Sequence, residues 1–204
     1  MTKIAVIYYS MYGHILRSSK EIAKGIANAG GKADLFQIKE TLPQSLVSQI
    51  GGIEKPSIEE IPEITPGHLT EYDGFMFGIP TRYGNLPSQW KSFWDQTGGL
   101  WANGGLHGKP FGLFVSTGTP GGGQETTAIS SLSSFVHHGM IYVPLGYKNT
   151  FPLLTNLNEV HGGSPWGAGT FAGADGSRQP TELELELHRI QGEEFFKTVE
   201  KLSK

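Results

Sequence analysis

The stretch IAVIYYSMYGHI, residues 4–15, decides the fold of this chain. Its first half is a short continuous run of apolar and aromatic residues, which is typical of a strand buried on both faces of a sheet. Its second half is polar and contains a glycine, and apolar residues then recur at helical spacing as far as Ile26. A buried strand, a short turn and an amphipathic helix in this order predict the first unit of a parallel α/β sheet.

Strand and helix patterns alternate along the rest of the chain. Further apolar segments predict strands at residues 33–38, 75–79, 111–115 and 140–145. Because connections between parallel strands place helices on the sheet faces, the sequence predicts a doubly wound, five-stranded parallel sheet with helices on both faces. The whole chain, residues 1–204, is expected to form one domain, in which the glycine-rich segment 146–180 is an added loop.

The helix after the third strand carries two tryptophans. Trp90 and Trp94 lie on its apolar face, which favours a place in the core. Gly98 and Gly99 are expected to end this helix, which leaves Trp101 in a glycine-rich loop.

Capping signals mark the last helix of the chain. Thr181 and Glu184 have the spacing of a capping box directly after Pro180, and they predict a C-terminal helix. Its acidic residues Glu182, Glu184 and Glu186 are expected to be solvated at a helix end that favours negative charge. Shorter patterns predict one or two helical turns at residues 44–50 and a helix over residues 128–136.

The composition excludes several classes of protein. The chain has 204 residues and a net charge of −3, so it offers no general polycation, and no nucleic-acid partner is expected. It contains no cysteine, which excludes disulfides, iron–sulfur clusters and thiol catalysis. No apolar run approaches the roughly 18 residues of a membrane span, and no targeting signal is visible. We therefore expect a cytoplasmic protein without an integral membrane segment.

Three polar loops follow predicted strands, at the edge where parallel α/β sheets bind ligands. Residues 10–15 combine a hydroxyl, a glycine and a helix N-terminus, which suits one phosphate held by backbone dipoles; a capped turn without a ligand is the alternative. In residues 80–87, Tyr83 can lie against a planar ring, although a rigid turn between two prolines explains the same residues. Residues 116–125 hold two threonines and four glycines, which suit either a row of N–H groups facing a ligand or a flexible exposed loop.

Six motifs of this chain resemble those of one known family. They are YYSMYGHI (8–15), PTRYGN (80–85), DQTGGLW (95–101), GGGQE (121–125), HHGM (137–140) and AGADGSRQP (172–180). In this order they span almost the whole chain, and they are similar to the motifs of WrbA-type flavoproteins. That family comprises flavodoxin-like NAD(P)H:quinone oxidoreductases that bind FMN. The resemblance implies a flavodoxin-like fold, FMN as cofactor, NADH or NADPH as electron donor, a quinone substrate and a homotetramer built as a dimer of dimers.

The resemblance also implies roles for individual residues. Residues 10–15 would hold the FMN phosphate, residues 81–83 and 116–122 would surround the flavin ring, and His137 would approach it. Tyr12 would contact the nicotinamide cofactor, and Trp101 would line the quinone pocket. The candidate cofactor-binding residues are therefore Ser10, Met11, Tyr12, Gly13, His14, Ile15, Thr81, Arg82, Tyr83, Gly84, Asn85, Ser116, Thr117, Gly118, Thr119, Gly121, Gly122 and His137. The flavin carries the chemistry in this family, so no side chain is assigned a catalytic role.

Histidines provide only a weak metal signal in this sequence. His137 and His138 are adjacent, and neighbouring residues on a helix point about 100° apart. No spacing typical of a metal-binding motif accompanies them, and no metal site is expected.

Two positions depart from the usual family pattern. Pro120 stands between Thr119 and Gly121, where it removes one N–H donor and restricts the backbone. The flavin contacts of Gly121 and Gly122 therefore depend on how the loop accommodates this proline. Tyr83 replaces a more usual phenylalanine and retains its aromatic face.

The expected reaction is the two-electron reduction of a quinone by NAD(P)H through FMN, and it implies protection against semiquinones and oxidative stress. Two alternatives stay open. A one-electron carrier of the flavodoxin type is one, although a net charge of −3 is weak for a protein that docks its partners electrostatically. A non-catalytic flavin-binding scaffold is the other, because Pro120 and the long loops are unusual.

Overall fold

A parallel β-sheet forms the centre of the molecule. The computed structural model describes residues 2–53, 56–57 and 59–203. Within these residues the strands are β1 (Lys3–Tyr8), β2 (Lys32–Gln37), β3 (Gly74–Pro80), β4 (Pro110–Thr117), β5 (Ile141–Tyr142) and β6 (Gly169–Phe171). The sheet order is β2-β1-β3-β4, and both β5 and β6 pair with β4. All of the pairs are parallel, which confirms the predicted doubly wound sheet.

The outer edge of the sheet differs from the prediction of five strands. β5 pairs with the start of β4 at Pro110 and Phe111, and β6 pairs with its end from Val115 to Thr117. The described part of the chain thus has six strands, but β5 and β6 share one position beside β4. The strand predicted over residues 140–145 ends early, because the last ladder bond runs from the Val143 N–H to the Phe111 carbonyl and the next carbonyl of β4, that of Leu113, is bonded to a side chain instead. Segment 146–180 is mostly loop in the structure, but it also contains β6 and a short helix at Phe151–Leu154.

A glutamine side chain fills the gap between β5 and β6. The Gln191 Nε2 atom donates to the Leu113 carbonyl of β4 at 2.8 Å, and the Gln191 Oε1 atom accepts from the Ala168 N–H at 3.0 Å. One amide thereby satisfies a backbone carbonyl and a backbone N–H where the edge strand is interrupted.

Helices cover both faces of this sheet. They are α1 (His14–Asn28), α2 (Gln44–Gln49), α3 (Ser88–Trp94), α4 (Gly98–Ala102), α5 (Gln124–His137), α6 (Phe151–Leu154) and α7 (Glu182–Leu202). α1 and α7 pack together through two glycines. A Cβ atom at Gly25 would overlap the backbone of Arg189, and one at Gly192 would overlap the backbone of Ile22. The missing side chains allow the two helices to approach closely. No helix in the described ranges is long and apolar enough to cross a membrane.

The helix with the two tryptophans is partly as predicted. Trp90 and Trp94 are buried and pack around Phe77 of β3, which confirms their place in the core. Gly98 and Gly99 do not end the helical path, however: a 3₁₀ turn at Asp95–Thr97 leads into α4, and Gly98 has right-handed angles of φ −54° and ψ −37°. Glycine adopts these angles as readily as left-handed ones, so the prediction of a stop was wrong. Trp101 consequently lies on α4, not in a loop.

The C-terminal helix α7 begins with the predicted capping box. The Glu184 N–H donates to Thr181 Oγ1 at 3.3 Å, and the Thr181 N–H donates to the Glu184 carboxylate at 2.9 Å. The expectation that Glu184 faces solvent was wrong, because its side chain is fully buried.

Candidate functional site

A cavity of about 340 Å³ opens at the carboxyl edge of the sheet. The loops that follow β1, β3, β4 and β6 line it, together with the residue after α2. The lining residues are Ser10, Met11, Tyr12, His14, Ile15, Ile50, Pro80, Thr81, Arg82, Ser116, Thr117, Gly118, Ala172, Gly173, Ala174, Asp175 and Gly176. The three loops predicted from the sequence therefore meet, and a fourth loop joins them.

The first loop, residues 10–15, leads from β1 into α1. Gly13 has a left-handed φ of 90°, and its N–H donates to Ser10 Oγ at 3.1 Å, which turns the chain sharply into the helix. Among the described residues, no side chain caps this helix, and its first turn contains no acid. Free N–H groups and the positive end of the helix dipole therefore lie beside the cavity, as a phosphate site requires.

The second loop, residues 80–85, is fixed by hydrogen bonds around Thr81. The Thr81 N–H donates to the Ser116 carbonyl at 2.8 Å, and the Thr81 Oγ1 atom accepts from Thr127 Oγ1 at 2.8 Å and from the Gly84 N–H at 3.0 Å. The Arg82 guanidinium lies 6.0 Å from the centre of the Tyr12 ring, near the mouth of the cavity. This loop therefore joins the first and third loops into one rim.

Three predicted residues of the second loop lie outside the cavity wall. Tyr83 has a left-handed φ of 55°, and its side chain projects fully into solvent. Asn85 forms a backbone bridge with Arg82, and Gly84 lies between Tyr83 and Asn85 in the same turn. These residues position the rim instead of lining the cavity.

The third loop, residues 116–123, accommodates its proline without losing a hydrogen bond. The Gly122 N–H donates to the Thr119 carbonyl at 2.9 Å, so Pro120 occupies the second position of a β-turn, where proline is favoured and its N–H is not needed. Ser116, Thr117 and Gly118 line the cavity. Thr119, Gly121 and Gly122 belong to the turn beyond it, so this part of the predicted set lies apart from the cavity wall.

The fourth loop, residues 172–176, was not predicted as part of the site. Its Ala172 N–H donates to the Thr117 carbonyl at 2.8 Å, and its Gly173 N–H donates to the Gly118 carbonyl at 2.9 Å. His14 Nε2, at the start of α1, donates a hydrogen bond to the Arg178 carbonyl at 2.9 Å. The fourth loop is thus tied to the first and third. Its only sequence signal was the motif AGADGSRQP, to which no role had been assigned.

A buried carboxylate holds the fourth loop from behind. Glu184 accepts from Thr170 Oγ1 and from the Gly162 N–H, both at 2.8 Å. It also forms an ion pair with Arg178 at 3.0 Å. The Arg178 side chain donates in turn to the Phe171 carbonyl at 2.6 Å, at the end of β6. Glu184 therefore fixes the chain on both sides of the fourth loop, which explains why it is buried instead of solvated.

Among the described residues, one carboxylate lines the cavity, and one of its two oxygens is bonded to Ser177. Asp175 accepts from the Ser177 N–H at 3.1 Å and from Ser177 Oγ at 2.8 Å. These hydrogen bonds hold the pKa of the Asp175 carboxyl below its ordinary value. The rest of the wall offers hydroxyls, N–H groups and Arg82. Its polar chemistry therefore suits an anion with a hydroxylated chain.

Two predicted residues lie away from the cavity. His137 is exposed at the C-terminal end of α5, and Trp101 is 59% exposed on α4. The neighbouring His138 is buried, and its Nε2 atom lies 2.9 Å from Thr97 Oγ1. Burial, helped by the adjacent His137, lowers the pKa of His138, so its ring is neutral near pH 7. Among the described residues, no group of three His, Cys, Asp or Glu could hold a metal ion.

The residues present fit FMN. A cavity of about 340 Å³ falls within the usual range for cofactor sites, roughly 300–1,000 Å³. The uncapped N-terminus of α1 with Ser10 matches a phosphate, and the threonines and bare backbone of the second and third loops match the polar edge of a flat ring. Fold and cavity together define a doubly wound α/β protein that binds a phosphorylated cofactor at the carboxyl edge of its sheet.

Comparison with known families identifies this class more closely. The flavodoxin family profile matches residues 6–139, and the chain belongs to the flavodoxin family. A WrbA-like flavodoxin of known structure from Agrobacterium tumefaciens superposes with a TM-score of 0.67 over 98% of this chain and 99% of its own. At 20% sequence identity that likeness shows the fold alone.

Closer relatives carry names of their own. Protoplast secreted protein 2 of Saccharomyces cerevisiae is 59% identical over 98% of this chain and 100% of its own length. NAD(P)H quinone oxidoreductase PST3 of Candida albicans is 57% identical over 98% of each chain. With the family match, these relatives confirm the resemblance that the sequence motifs indicated.

Proposed function

We propose that this chain is an FMN-dependent NAD(P)H:quinone oxidoreductase that reduces quinones by two electrons. The observation that carries the proposal is the cavity itself, in which an uncapped helix N-terminus and the threonine-rich loops meet. Relatives 55–57% identical to this chain bear the name NAD(P)H quinone oxidoreductase. Protection against semiquinones and oxidative stress is the expected biological role.

The chain's own residues bind and orient the cofactor. In the proposal, Ser10 and the N–H groups at the start of α1 hold the phosphate, and the Asp175 carboxylate accepts a hydrogen bond from a hydroxyl of the sugar chain. Thr81, Thr117 and Gly118 border the ring. N–H groups of the third loop, such as that of Gly118, stabilise negative charge that develops beside them. When bound, FMN supplies reversible two-electron transfer, which the protein side chains do not provide.

Donor and substrate are assigned to the open mouth of the cavity. Tyr12 is 38% exposed and lies beside Arg82, which supports its proposed contact with the nicotinamide. Trp101 and His137 belong to the proposal as residues near the quinone and the flavin. Since neither lines the cavity of a single chain, we assign their roles within the proposed homotetramer.

The remaining parts of the proposal concern assembly and location. The described residues include exposed apolar side chains on and beyond α5 and α6, among them Val136, Phe151, Leu157 and Val160, which suit contacts in a dimer of dimers. One domain spanning the chain is supported by β6, which returns to the same sheet. We place the protein in the cytoplasm. Because one relative is named as secreted, fractionation of cells and medium is the test of that location.

An anaerobic titration tests the activity. FMN-loaded protein is mixed with NADH or NADPH, and we expect the flavin absorbance to bleach and to return when benzoquinone is added. Riboflavin, which lacks the phosphate, is the control, and it should bind more weakly. If the flavin accepted electrons only one at a time, the chain would be a carrier. If neither donor bleached a fully loaded sample, the oxidoreductase function would be excluded.

A further inference from the structure

A second, open groove of about 530 Å³ lies between the second loop and α5. Its lining includes Arg82 and Tyr83 of the second loop, Lys91 of α3 and three serines of α5. Arg82 also lines the cofactor cavity, so the two spaces adjoin at this guanidinium. A ligand that enters the cavity mouth can therefore continue into the groove.

The α5 side of the groove presents three serines. Ser130, Ser133 and Ser134 have the spacing i, i+3 and i+4, which places them on one face of the helix. Ser131, which is not part of that face, is buried and bonds to the Thr127 carbonyl at 2.6 Å. Within the described ranges, the three groove hydroxyls have no hydrogen-bond partner in the protein. They are free to donate to a ligand.

The charge of the groove is positive. Among the described residues that line it, Arg82 and Lys91 are the charged ones, and none is acidic. Arg82 uses one N–H group for the Thr81 carbonyl at 2.9 Å and has no carboxylate partner within the described part of the chain. Lys91 pairs with Asp95 at 2.6 Å, but both side chains are more than half exposed, so this pair is weak and can be exchanged for a ligand phosphate.

We propose that this groove binds the phosphorylated adenosine arm of the electron donor and that it favours NADPH over NADH. This inference rests on the proposed oxidoreductase function. Arg82, at the junction, contacts the pyrophosphate while the nicotinamide lies in the cavity mouth. Lys91 and the serines of α5 then bind the 2′-phosphate, which NADH lacks. Tyr83 offers the adenine a fully exposed ring, and its left-handed backbone holds that ring out from the rim.

Steady-state kinetics with both donors tests the assignment. In the FMN-loaded protein with saturating benzoquinone, we expect Lys91→Gln to lower kcat/KM for NADPH about tenfold through KM, which corresponds to about 1.4 kcal/mol. The value for NADH should change less than twofold, and FMN affinity should be unaltered. Lys20→Gln, which removes an exposed lysine from α1, is the matched control and should change neither donor. Equal losses for both donors, or no loss for NADPH, would overturn the proposal.

A binding measurement separates this proposal from the activity. Calorimetry with 2′,5′-ADP and 5′-AMP uses the same FMN-loaded proteins and needs no turnover. We expect the wild type to bind 2′,5′-ADP more tightly, and Lys91→Gln and Ser133→Ala to weaken that preference. If the enzyme failed to reduce quinones but kept this preference, the groove assignment would stand while the oxidoreductase function fell. Equal binding of the two nucleotides by the wild type would refute the assignment of the 2′-phosphate to the groove.

Discussion

The first and fourth loops line the same cavity but are held in place in different ways. The first loop is built locally: a left-handed glycine, one serine hydroxyl and the start of α1 define it within six residues. The fourth loop depends on partners far away in the sequence, above all Glu184, which fixes the chain before and after it. A loop held by residues close in the sequence can be predicted from the sequence. A loop held by a carboxylate distant in the sequence can be disrupted by a single substitution at that distant position.

Removal of the buried carboxylate is the largest expected effect. Glu184→Ala leaves Arg178 partly buried without its partner and several N–H groups without an acceptor, so we expect about 3–5 kcal/mol less free energy of unfolding. Glu182→Ala, on the same turn of α7 but with a side chain 84% exposed, should change it by less than about 0.5 kcal/mol. Urea unfolding of both variants gives the comparison. Similar values for the two would show that the fourth loop does not depend on the network.

Low pH should lower the free energy of unfolding through a buried histidine next to Glu184. His188 Nδ1 donates to the Glu184 carbonyl at 2.6 Å, and its buried Nε2 atom has no partner among the described residues. Burial lowers the pKa of His188 to about 4, outweighing the nearby Glu184 and Glu21. Below pH 6.5 the His188 ring binds a proton in the unfolded chain but stays neutral in the folded chain. The free energy of unfolding therefore falls as the pH drops toward 4, by about 3 kcal/mol in total.

The histidine variant isolates this contribution. His188→Gln should flatten the dependence of the unfolding free energy on pH between 6.5 and 4. His107→Gln, at an exposed histidine, should leave it as steep as in the wild type. An unchanged slope in His188→Gln would assign acid sensitivity to other groups.

A substitution at the glycine of the first loop should lower the affinity for the cofactor. Gly13 and Gly30 stand at opposite ends of α1 with nearly equal left-handed φ values of 90° and 87°. Alanine at either position should lower stability by about 1–2 kcal/mol. Only Gly13→Ala, beside the cavity, should also raise the Kd for FMN, by about tenfold. Flavin fluorescence titration measures the Kd. Equal affinities in both variants would contradict the assignment of the phosphate to this loop.

The smallest effect is expected at two serines. Ser10→Ala removes the acceptor of the Gly13 N–H, a bond of about 0.5–1.5 kcal/mol, and should weaken FMN binding several-fold. Ser177→Ala removes a hydroxyl bond to Asp175 in the exposed fourth loop and should change binding less. The same titration ranks them, and a larger effect at Ser177 would reverse the order of importance of the two loops.

The sequence predicted most of the sheet because buried parallel strands are short, continuous apolar runs that local reading detects. It predicted the loops at residues 10–15, 80–87 and 116–125 for a similar reason, since each directly follows such a run. β6 has only three residues, too few for a detectable pattern, and so the fourth loop had no strand to mark it.

Other errors arose where local signals have two structural outcomes. The capping-box pattern in a sequence does not show whether the glutamate carboxylate faces water or protein donors. In Glu184 the carboxylate accepts from five protein donors. Paired glycines such as Gly98 and Gly99 permit a helix stop but do not require one. For the glutamate, contacts with Thr170 and Arg178 explain the burial. The turn that continues into α4 also has a contact distant in the sequence, since Thr97 Oγ1 lies 2.9 Å from His138 Nε2.

The amide of Gln191 has a consequence for how this fold can diversify. Because it bonds to Leu113 and Ala168, residues 144–167 can leave the sheet and return while the Leu113 carbonyl of β4 stays hydrogen-bonded. Segments of other lengths can be inserted early in this stretch, before Gly162, whose N–H holds Glu184 behind the fourth loop. This stretch thus offers engineers a place to graft new surface, provided that the glutamine is retained.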